Sequence, residues 1–168
     1  MEAERSASHD GATTPPLPTR RVYATFAALA VVVVAIDQVT KEWVLNELSD
    51  GRVIDVIDGV LSLRLTFNPG GAFGIGQSVP WFFLGASLIT LVVVLFLARR
   101  IEHAVWAYPL GLVLGGGVGN ICDRLFRDTD GRVVDFIDLH VWPLFNVADS
   151  AIVVGVIWMF LLSFRSRN

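Results

Sequence analysis

Long apolar stretches alternate with shorter polar segments along this chain. Four of the apolar stretches are close to the ~20 residues that a helix needs to cross the hydrocarbon core of a bilayer. They are Val22–Val39, Trp81–Ala98, Ala104–Ile121 and Phe145–Phe164. The pattern predicts an α-helical integral membrane protein with four transmembrane helices.

The connection between the first two spans has a period of two instead. From Leu61 to Phe67 every second residue is apolar, and Asp58-Gly59 stands before this run. Alternation beside an Asp-Gly pair is typical of a β-hairpin with a tight turn. We therefore predict a small antiparallel β cradle in an outer β region of about residues 52–76, with one face turned to lipid or substrate and the other to water.

A glycine-rich stretch, NPGGAFGIG, follows the hairpin from Asn68 to Gly76. It has neither the spacing nor the Lys-Ser/Thr ending of a phosphate-binding loop, so nucleotide binding is excluded. We expect it to allow close approach of the backbone to the helices or to an extended peptide.

Three groups of arginines stand at alternate ends of successive spans, which places these three groups on one side of the membrane. They are Arg20 and Arg21, Arg99 and Arg100, and Arg165 and Arg167. By the positive-inside rule, that side is the cytoplasm. Both termini are therefore predicted to be cytoplasmic, and the connections 40–80 and 122–144 to face outward.

The composition agrees with a membrane protein. Hydrophobic residues make up 54% of the chain and charged residues 17%, and the mean hydropathy is +0.60. The net charge of −3 and the lack of a basic patch argue against nucleic acid as a partner. Residues 1–19 are polar and contain proline, so they are predicted to form a disordered cytoplasmic tail, and residues 20–168 to form one membrane domain.

Carboxylates interrupt the apolar run from Val133 to Gly155. Asp135, Asp138 and Asp149 lie in it, and ionisable groups in such a setting usually have a function. Asp135 is predicted on an outer strand or lid segment. Asp138 is predicted to be solvated, in a short amphipathic segment on the outer face.

Some polar groups have a plain structural interpretation. Asn146 and Asp149 are three residues apart at the start of a helix, as an N-cap and an acidic first turn would be. Asp37 and Lys41, four apart on one helix, could pair with each other. The charged residues from Asp123 to Asp128 are predicted to be interfacial charge pairs.

The depth of the carboxylates suggests a functional pair. Asp37 and Asp149 are each sixteen residues from a cytoplasmic arginine, Arg21 or Arg165, or about 24 Å along a helix. Depth alone therefore pairs Asp149 with Asp37, just inside the outer face. Two carboxylates at close range share a proton and can act as base toward water and acid toward a leaving amine.

Two other function classes remain open at this point. A serine-lysine hydrolase would use Lys41 with Ser62 or Ser150, but Asp37 would keep the lysine charged. A proton- or cation-coupled transporter would use Asp37 and Asp149, yet a coupled site is expected near the bilayer midplane. The three histidines lack ligand spacing, so no metal or other cofactor is predicted.

Several motifs, in this order along residues 22–164, resemble those of the lipoprotein signal peptidases (signal peptidase II). They are Asp37-x-x-x-Lys41, the Asn68-Pro-Gly-Gly-Ala-Phe-Gly loop, GGGVGNICDR around Asn120, Val133-Val134-Asp135-Phe136 and Phe145-Asn146-Val147-Ala148-Asp149.

The resemblance implies an intramembrane aspartic endopeptidase with assigned site residues. Asp135 and Asp149 would be the catalytic dyad, and it is the resemblance, not depth, that selects Asp135. The residues that would line the substrate site are Asn68, Asn120, Arg124 and Asn146. Asp37 and Lys41 would brace the site.

The resemblance also implies a substrate and a location. Such enzymes remove signal peptides from bacterial prolipoproteins, before a cysteine that carries diacylglycerol. We therefore expect a multi-pass protein of the bacterial cytoplasmic (inner) membrane, with its active site toward the outer face. Membrane lipids and the cyclic peptide inhibitor globomycin are further expected partners.

Overall fold

Residues 20–70, 80–101 and 103–165 are described by a computed structural model, with the backbone alone for Pro80 and Arg165. The predicted disordered tail, residues 71–76 of the glycine-rich loop and Arg167 lie outside these ranges.

Four long helices form the body of the molecule. They are α1 (Arg20–Glu47), α2 (Pro80–Ala98), α3 (Ala107–Phe126) and α4 (Val147–Arg165). All four are long and apolar enough to span a membrane, α3 together with the short 3-10 turn Ala104–Trp106 before it. The predicted four-helix membrane fold is confirmed. Helix α1 continues past Val39, so Asp37 and Lys41 lie well inside it.

A small antiparallel sheet covers one end of the bundle, which we call the sheet end. Its strands are β1 (Ile54–Ile57), β2 (Leu61–Asn68) and β3 (Val133–Asp138), in the order β1-β2-β3. The predicted hairpin is present between β1 and β2, with Gly59 at φ +68° in its turn, a conformation that glycine adopts without steric cost.

Helix α3 lies at the centre because its small residues let both neighbours come close. A Cβ on Gly115 would lie 2.7 Å from the carbonyl oxygen of Ala30 in α1. Gly116, on the other side, faces the backbone of Ala148 in α4. The glycine face of α3 thus allows close helix approach on two sides. Helix α2 also packs against α3.

Strand β3 is held between the bundle and the rest of the sheet. Val134 and Phe136 are buried and pack with Val44 of α1 and with Leu48, which directly follows this helix. Five of the six residues of β3 are buried, which explains why this strand reads as an apolar run rather than an alternating one. The packing fixes β3 against α1, and with it the carboxylate of Asp135.

Candidate active site

Two carboxylates face one cavity at the sheet end. Asp135 is in the middle of β3 and 1% exposed, and Asp149 is half-buried in the first turn of α4. The cavity has a volume of about 240 Å³. Its lining residues are Asn68, Gly70, Asn120, Arg124, Val133, Asp135, Trp142, Pro143, Leu144, Phe145 and Asp149.

Amide groups hold both oxygens of Asp135. Asn68 Nδ2 donates to Oδ2 over 2.8 Å, and Asn146 Nδ2 donates to Oδ1 over 2.6 Å. Asn68 ends β2 beside Val133 of β3, and its own Oδ1 accepts the amide of Gly70 over 2.9 Å. The sheet register thus delivers one donor to Asp135, and the start of α4 delivers the other.

Asp149 belongs to a reciprocal cap at the start of α4. Its backbone amide donates to Asn146 Oδ1 over 2.9 Å, and its Oδ2 accepts the Asn146 amide over 3.3 Å. The N-cap that the spacing suggests is therefore present. The other oxygen of Asp149 accepts Asn120 Nδ2 over 2.8 Å, so the capped aspartate also faces the cavity with a fixed hydrogen bond.

Lys41 sets the orientation of the Asn120 amide. Its ammonium donates to Asn120 Oδ1 over 3.1 Å, and Asn146 Nδ2 donates to the same oxygen over 3.2 Å. Because an ammonium can only donate, it requires the oxygen on its side of the amide. The Nδ2 of Asn120 is thereby turned toward Asp149.

Behind the cavity, the ammonium of Lys41 is enclosed by two carboxylates. Its Nζ lies 2.9 Å from Asp37 and 2.8 Å from Asp123, and all three side chains are completely buried. The predicted pairing of Asp37 with Lys41 is confirmed. Buried charges require such pairing, since an isolated one would be too costly to desolvate.

The pKa of Asp135 is raised from its ordinary value of 3.8 to about 7. Burial is the main cause, and the negative charge of Asp149 adds to it. The amides of Asn68 and Asn146 and the ammonium of Lys41 act in the opposite direction. Asp135 can therefore hold or release a proton near neutral pH.

Arg124 brings a cation to the cavity wall. One guanidinium nitrogen donates to the backbone oxygen of Asn120 over 3.2 Å. Its Nε is buried without a hydrogen-bond partner in the described part of the chain. A buried donor without a partner is costly. Arg124 also lines the cavity, so its guanidinium can bind an oxygen atom that enters there.

A second cavity, with an apolar lining, adjoins the first one. Its volume is about 350 Å³, and its lining residues are Leu139, Trp142, Phe145, Asp149, Ser150, Val153 and Val154. Trp142, Phe145 and Asp149 line both cavities. An apolar group of a ligand could thus lie directly beside the carboxylates.

The loop that follows β3 forms part of both cavity walls and is tied to the sheet. Asp138 pairs with Arg64 of β2 over 2.7 Å and accepts the backbone amide of His140 over 2.8 Å. His140 Nε2 lies 2.5 Å from the hydroxyl of Ser62. The prediction of a solvated Asp138 is wrong, because this carboxylate is 7% exposed and anchors the loop.

Most of the predicted site residues meet at this cavity. Asn68, Asn120 and Arg124 line it together with the two predicted dyad members. Asn146, which the resemblance places on the lining, is instead fully buried beneath it, because its amide links other polar groups.

Asp37 is the residue that the predicted depth in the membrane pairs with Asp149. It accepts the backbone amide of Ala148 over 2.9 Å and binds Lys41. It is not among the residues that line the cavity. Lys41 contacts carboxylates and an amide rather than a serine hydroxyl within the described ranges, so the geometry does not favour a serine-lysine hydrolase.

Asp123 forms a charge pair with Arg127 over 3.2 Å, as predicted, but contrary to the prediction it is not interfacial. It is completely buried, and it accepts hydrogen bonds from Gln38 Nε2, Arg127 Nε and the backbone amide of Val134. In the sequence, the charged residues that follow Asp123 suggest that this carboxylate belongs to a solvated cluster of charges. No spacing rule reveals a bond to a backbone amide eleven residues away.

Comparison with known proteins identifies the family. The family model described as signal peptidase (SPase) II matches residues 29–165. The lipoprotein signal peptidase of Rhodococcus jostii is 37% identical over 164 residues, which cover 95% of this chain and 83% of the relative. That of Halalkalibacterium halodurans is 39% identical over 146 residues, which cover 83% of this chain and 92% of the relative.

A solved structure has the same fold. It is described as a bacterial membrane enzyme determined by the in meso method at 2.3 Å resolution, and it superposes with a TM-score of 0.76. The sequence identity is 29%, and the match covers 86% of this chain and 90% of that chain. The chain belongs to the lipoprotein signal peptidases, the signal peptidase II family of aspartic peptidases.

Proposed function

We propose that Asp135 and Asp149 are the catalytic dyad, and that they cleave a prolipoprotein immediately before its diacylglyceryl-modified cysteine. The observation that carries the proposal is the shared cavity, in which each carboxylate is held by an amide donor. The family motifs select the same two residues.

The dyad performs the hydrolysis with one shared proton. Asp149 takes a proton from water, and the water oxygen forms a bond to the scissile carbonyl carbon. Asp135 gives its proton to the peptide nitrogen as the carbon–nitrogen bond breaks. The products are the carboxyl end of the signal peptide and the free amine of the lipidated cysteine, and the dyad again holds one proton.

Arg124 stabilises the charge that develops on the carbonyl oxygen. Arg124 lines the cavity together with both carboxylates, and its guanidinium carries a positive charge and several N–H donors. A donor placed in advance in a site of low dielectric stabilises an oxyanion more than it would in water.

The apolar cavity holds the lipid of the substrate. It shares Trp142, Phe145 and Asp149 with the catalytic cavity, so acyl chains bound there would place the modified cysteine beside the dyad. Binding energy from a remote part of a substrate can be used to position the reacting bond. An unlipidated peptide should therefore be a poor substrate.

The reaction takes place at the outer leaflet of the cytoplasmic membrane. Arg99 and Arg100 follow α2 at the end of the bundle opposite the sheet, and arginines favour the cytoplasmic side. The sheet end then faces outward. The signal helix of the substrate remains in the bilayer, and both termini of the enzyme are cytoplasmic.

The proposal is tested with purified protein in detergent and a lipopeptide that carries a diacylglyceryl cysteine. We expect wild type to cleave on the amino side of this cysteine, and globomycin to prevent it. Asp135→Asn and Asp149→Asn should each lower kcat by at least about 10²-fold, the lower end of what acid–base catalysis contributes.

Asp55→Asn is the matched control, because Asp55 is an exposed carboxylate on β1, away from the cavity. It should cleave at the wild-type rate. Full turnover by either dyad variant would disprove the dyad, and cleavage at another bond would disprove the proposed specificity.

A further inference from the structure

Two buried carboxylates accept hydrogen bonds from the backbone amides of the residues that immediately precede the proposed catalytic residues in sequence. Asp123 Oδ2 accepts the amide of Val134 over 3.0 Å, and Asp37 Oδ1 accepts the amide of Ala148 over 2.9 Å. Val134 and Ala148 are the residues that precede the two members of the dyad. One bond fixes the strand and the other fixes the helix.

The same two carboxylates are bridged to each other. Lys41 Nζ lies 2.9 Å from Asp37 and 2.8 Å from Asp123. Gln38 Nε2 donates to both carboxylates, each over 3.1 Å. Strand and helix are therefore connected through a buried polar bridge, consisting of Asp37, Gln38, Lys41 and Asp123, in addition to the contacts at the cavity itself.

We propose that Asp123 is a positioning residue, which together with Asp37 sets the distance between the two catalytic carboxylates. The inference rests on the proposed dyad and adds a role for a residue that the family motifs leave without one. Neither bridging carboxylate lines the cavity, so both act through the backbone of β3 and α4.

Asp123→Asn tests this role with little change in size. Among the described residues, the carboxylate binds the donors of Lys41, Gln38 and Arg127 and the Val134 amide. An asparagine would turn its own NH₂ group toward some of them, and β3 would shift. We expect kcat to fall about 100-fold, as a displacement of about 1 Å can cause, with KM little changed.

The pH profile separates positioning from simple loss of stability. Asp135 is faced by Asp149 of α4, by Lys41 of α1 and by Arg124 of α3. A wider spacing from Asp149 weakens the repulsion that helps to raise the pKa of Asp135. The alkaline limb of kcat in the Asp123→Asn variant should then move to lower pH.

Val113→Ala is the control for stability. Val113 is buried on α3 in the apolar cluster at the far end of the bundle, so its truncation lowers stability without touching the bridge. It should lower the melting temperature and leave the alkaline limb in place. An unmoved limb in folded Asp123→Asn, with kcat reduced only as far as the folded fraction, would overturn the proposal.

Gln38→Met decides the question if Asp123→Asn is not recovered in folded form. It removes the bridging amide and keeps both carboxylates and the lysine. We expect the same direction of change in kcat and in the alkaline limb, by a smaller amount, and wild-type behaviour would overturn the proposal. Failure of the dyad itself is distinguishable, because active Asp135→Asn or Asp149→Asn variants would reveal it independently.

Discussion

Three asparagine side chains present their NH₂ groups to the site, and each is held in one orientation by a group that only donates. The donors are the Lys41 ammonium for Asn120, the Asp149 amide for Asn146 and the Gly70 amide for Asn68. Each asparagine oxygen is occupied by its donor, so the amide cannot turn round without losing that bond. The carboxylates therefore meet preorganised donors before any substrate arrives.

The raised pKa of Asp135 predicts how cleavage depends on pH. Its pKa is about 7, and the proposed mechanism needs this carboxyl protonated. Cleavage of the lipopeptide at saturating substrate should therefore decline as the pH rises through about 7. Measurements of kcat from pH 5 to pH 9 check this, and a rate that keeps rising across the range would contradict it.

The same group makes stability depend on pH. The folded protein binds the proton of Asp135 more tightly than the unfolded chain does. The contribution of this proton to the free energy of unfolding is therefore complete below the ordinary pKa of 3.8, and it is lost as the pH rises to about 7. Asp135→Asn removes this dependence from the thermal unfolding profile.

Individual residues show where the sequence is informative. The pairing of Asp37 with Lys41 and the cap formed by Asn146 and Asp149 follow from spacings of four and three residues, because one helix determines both partners. The pair of Asp123 with Arg127 also follows a spacing of four residues. The bond of Asp123 to the Val134 amide and the pair of Asp138 with Arg64 could not be predicted in this way. They join other elements, and a local pattern does not contain them.

At the scale of elements, the glycine face of α3 sets how closely the helices pack. A Cβ on Gly115 would lie 2.7 Å from both the Ala30 oxygen and Val33 Cβ, whereas one on Gly117 would meet nothing within 4 Å. Gly115→Ala should therefore destabilise the protein by about 1–3 kcal/mol, because α1 must move away.

Gly117→Ala on the same helix is the comparison for that variant. Alanine favours a helix over glycine by up to about 1 kcal/mol, so this variant should be at least as stable as wild type. Thermal unfolding in detergent measures both. Equal melting temperatures for the two variants would show that close packing at Gly115 is not limiting.

The elements themselves differ in how far their sequences reveal them. The hairpin is visible because alternation and the Asp58-Gly59 turn are both local. The membership of β3 in the sheet is not visible, since its pairing with β2 joins residues as distant in sequence as Thr66 and Asp135. The end of α1 extends beyond its apolar run because Val44 packs against Val134 and Phe136 of β3, together with Leu48 directly after the helix.

At the scale of the whole molecule, the proposed orientation can be checked by chemical labelling. In a Cys122→Ala background, Val56→Cys places a thiol on the exposed hairpin, and His103→Cys places one on the exposed connection at the opposite end. A membrane-impermeant maleimide should label the first in intact spheroplasts, and the second only after permeabilisation. The reverse pattern would invert the topology.

The arrangement of the whole molecule explains why depth along the helices pairs Asp149 with Asp37, whereas the carboxylate that lines one cavity with Asp149 is that of Asp135. Asp37 does lie beside the start of α4, as the counting indicates, but its charge is directed to Lys41 and to a backbone amide. Asp135 reaches the cavity from a strand, and a count of helical residues does not include strands. Only the tertiary packing brings it to Asp149.

The burial of Lys41 also offers a practical reporter of folding. It is the single lysine of the chain, and it is completely enclosed within α1. A lysine-specific protease therefore has one bond to cut, and it can reach that bond only when the bundle opens. The rate of this single cleavage would then follow the population of open molecules, and it would rank destabilised variants without any substrate, inhibitor or label.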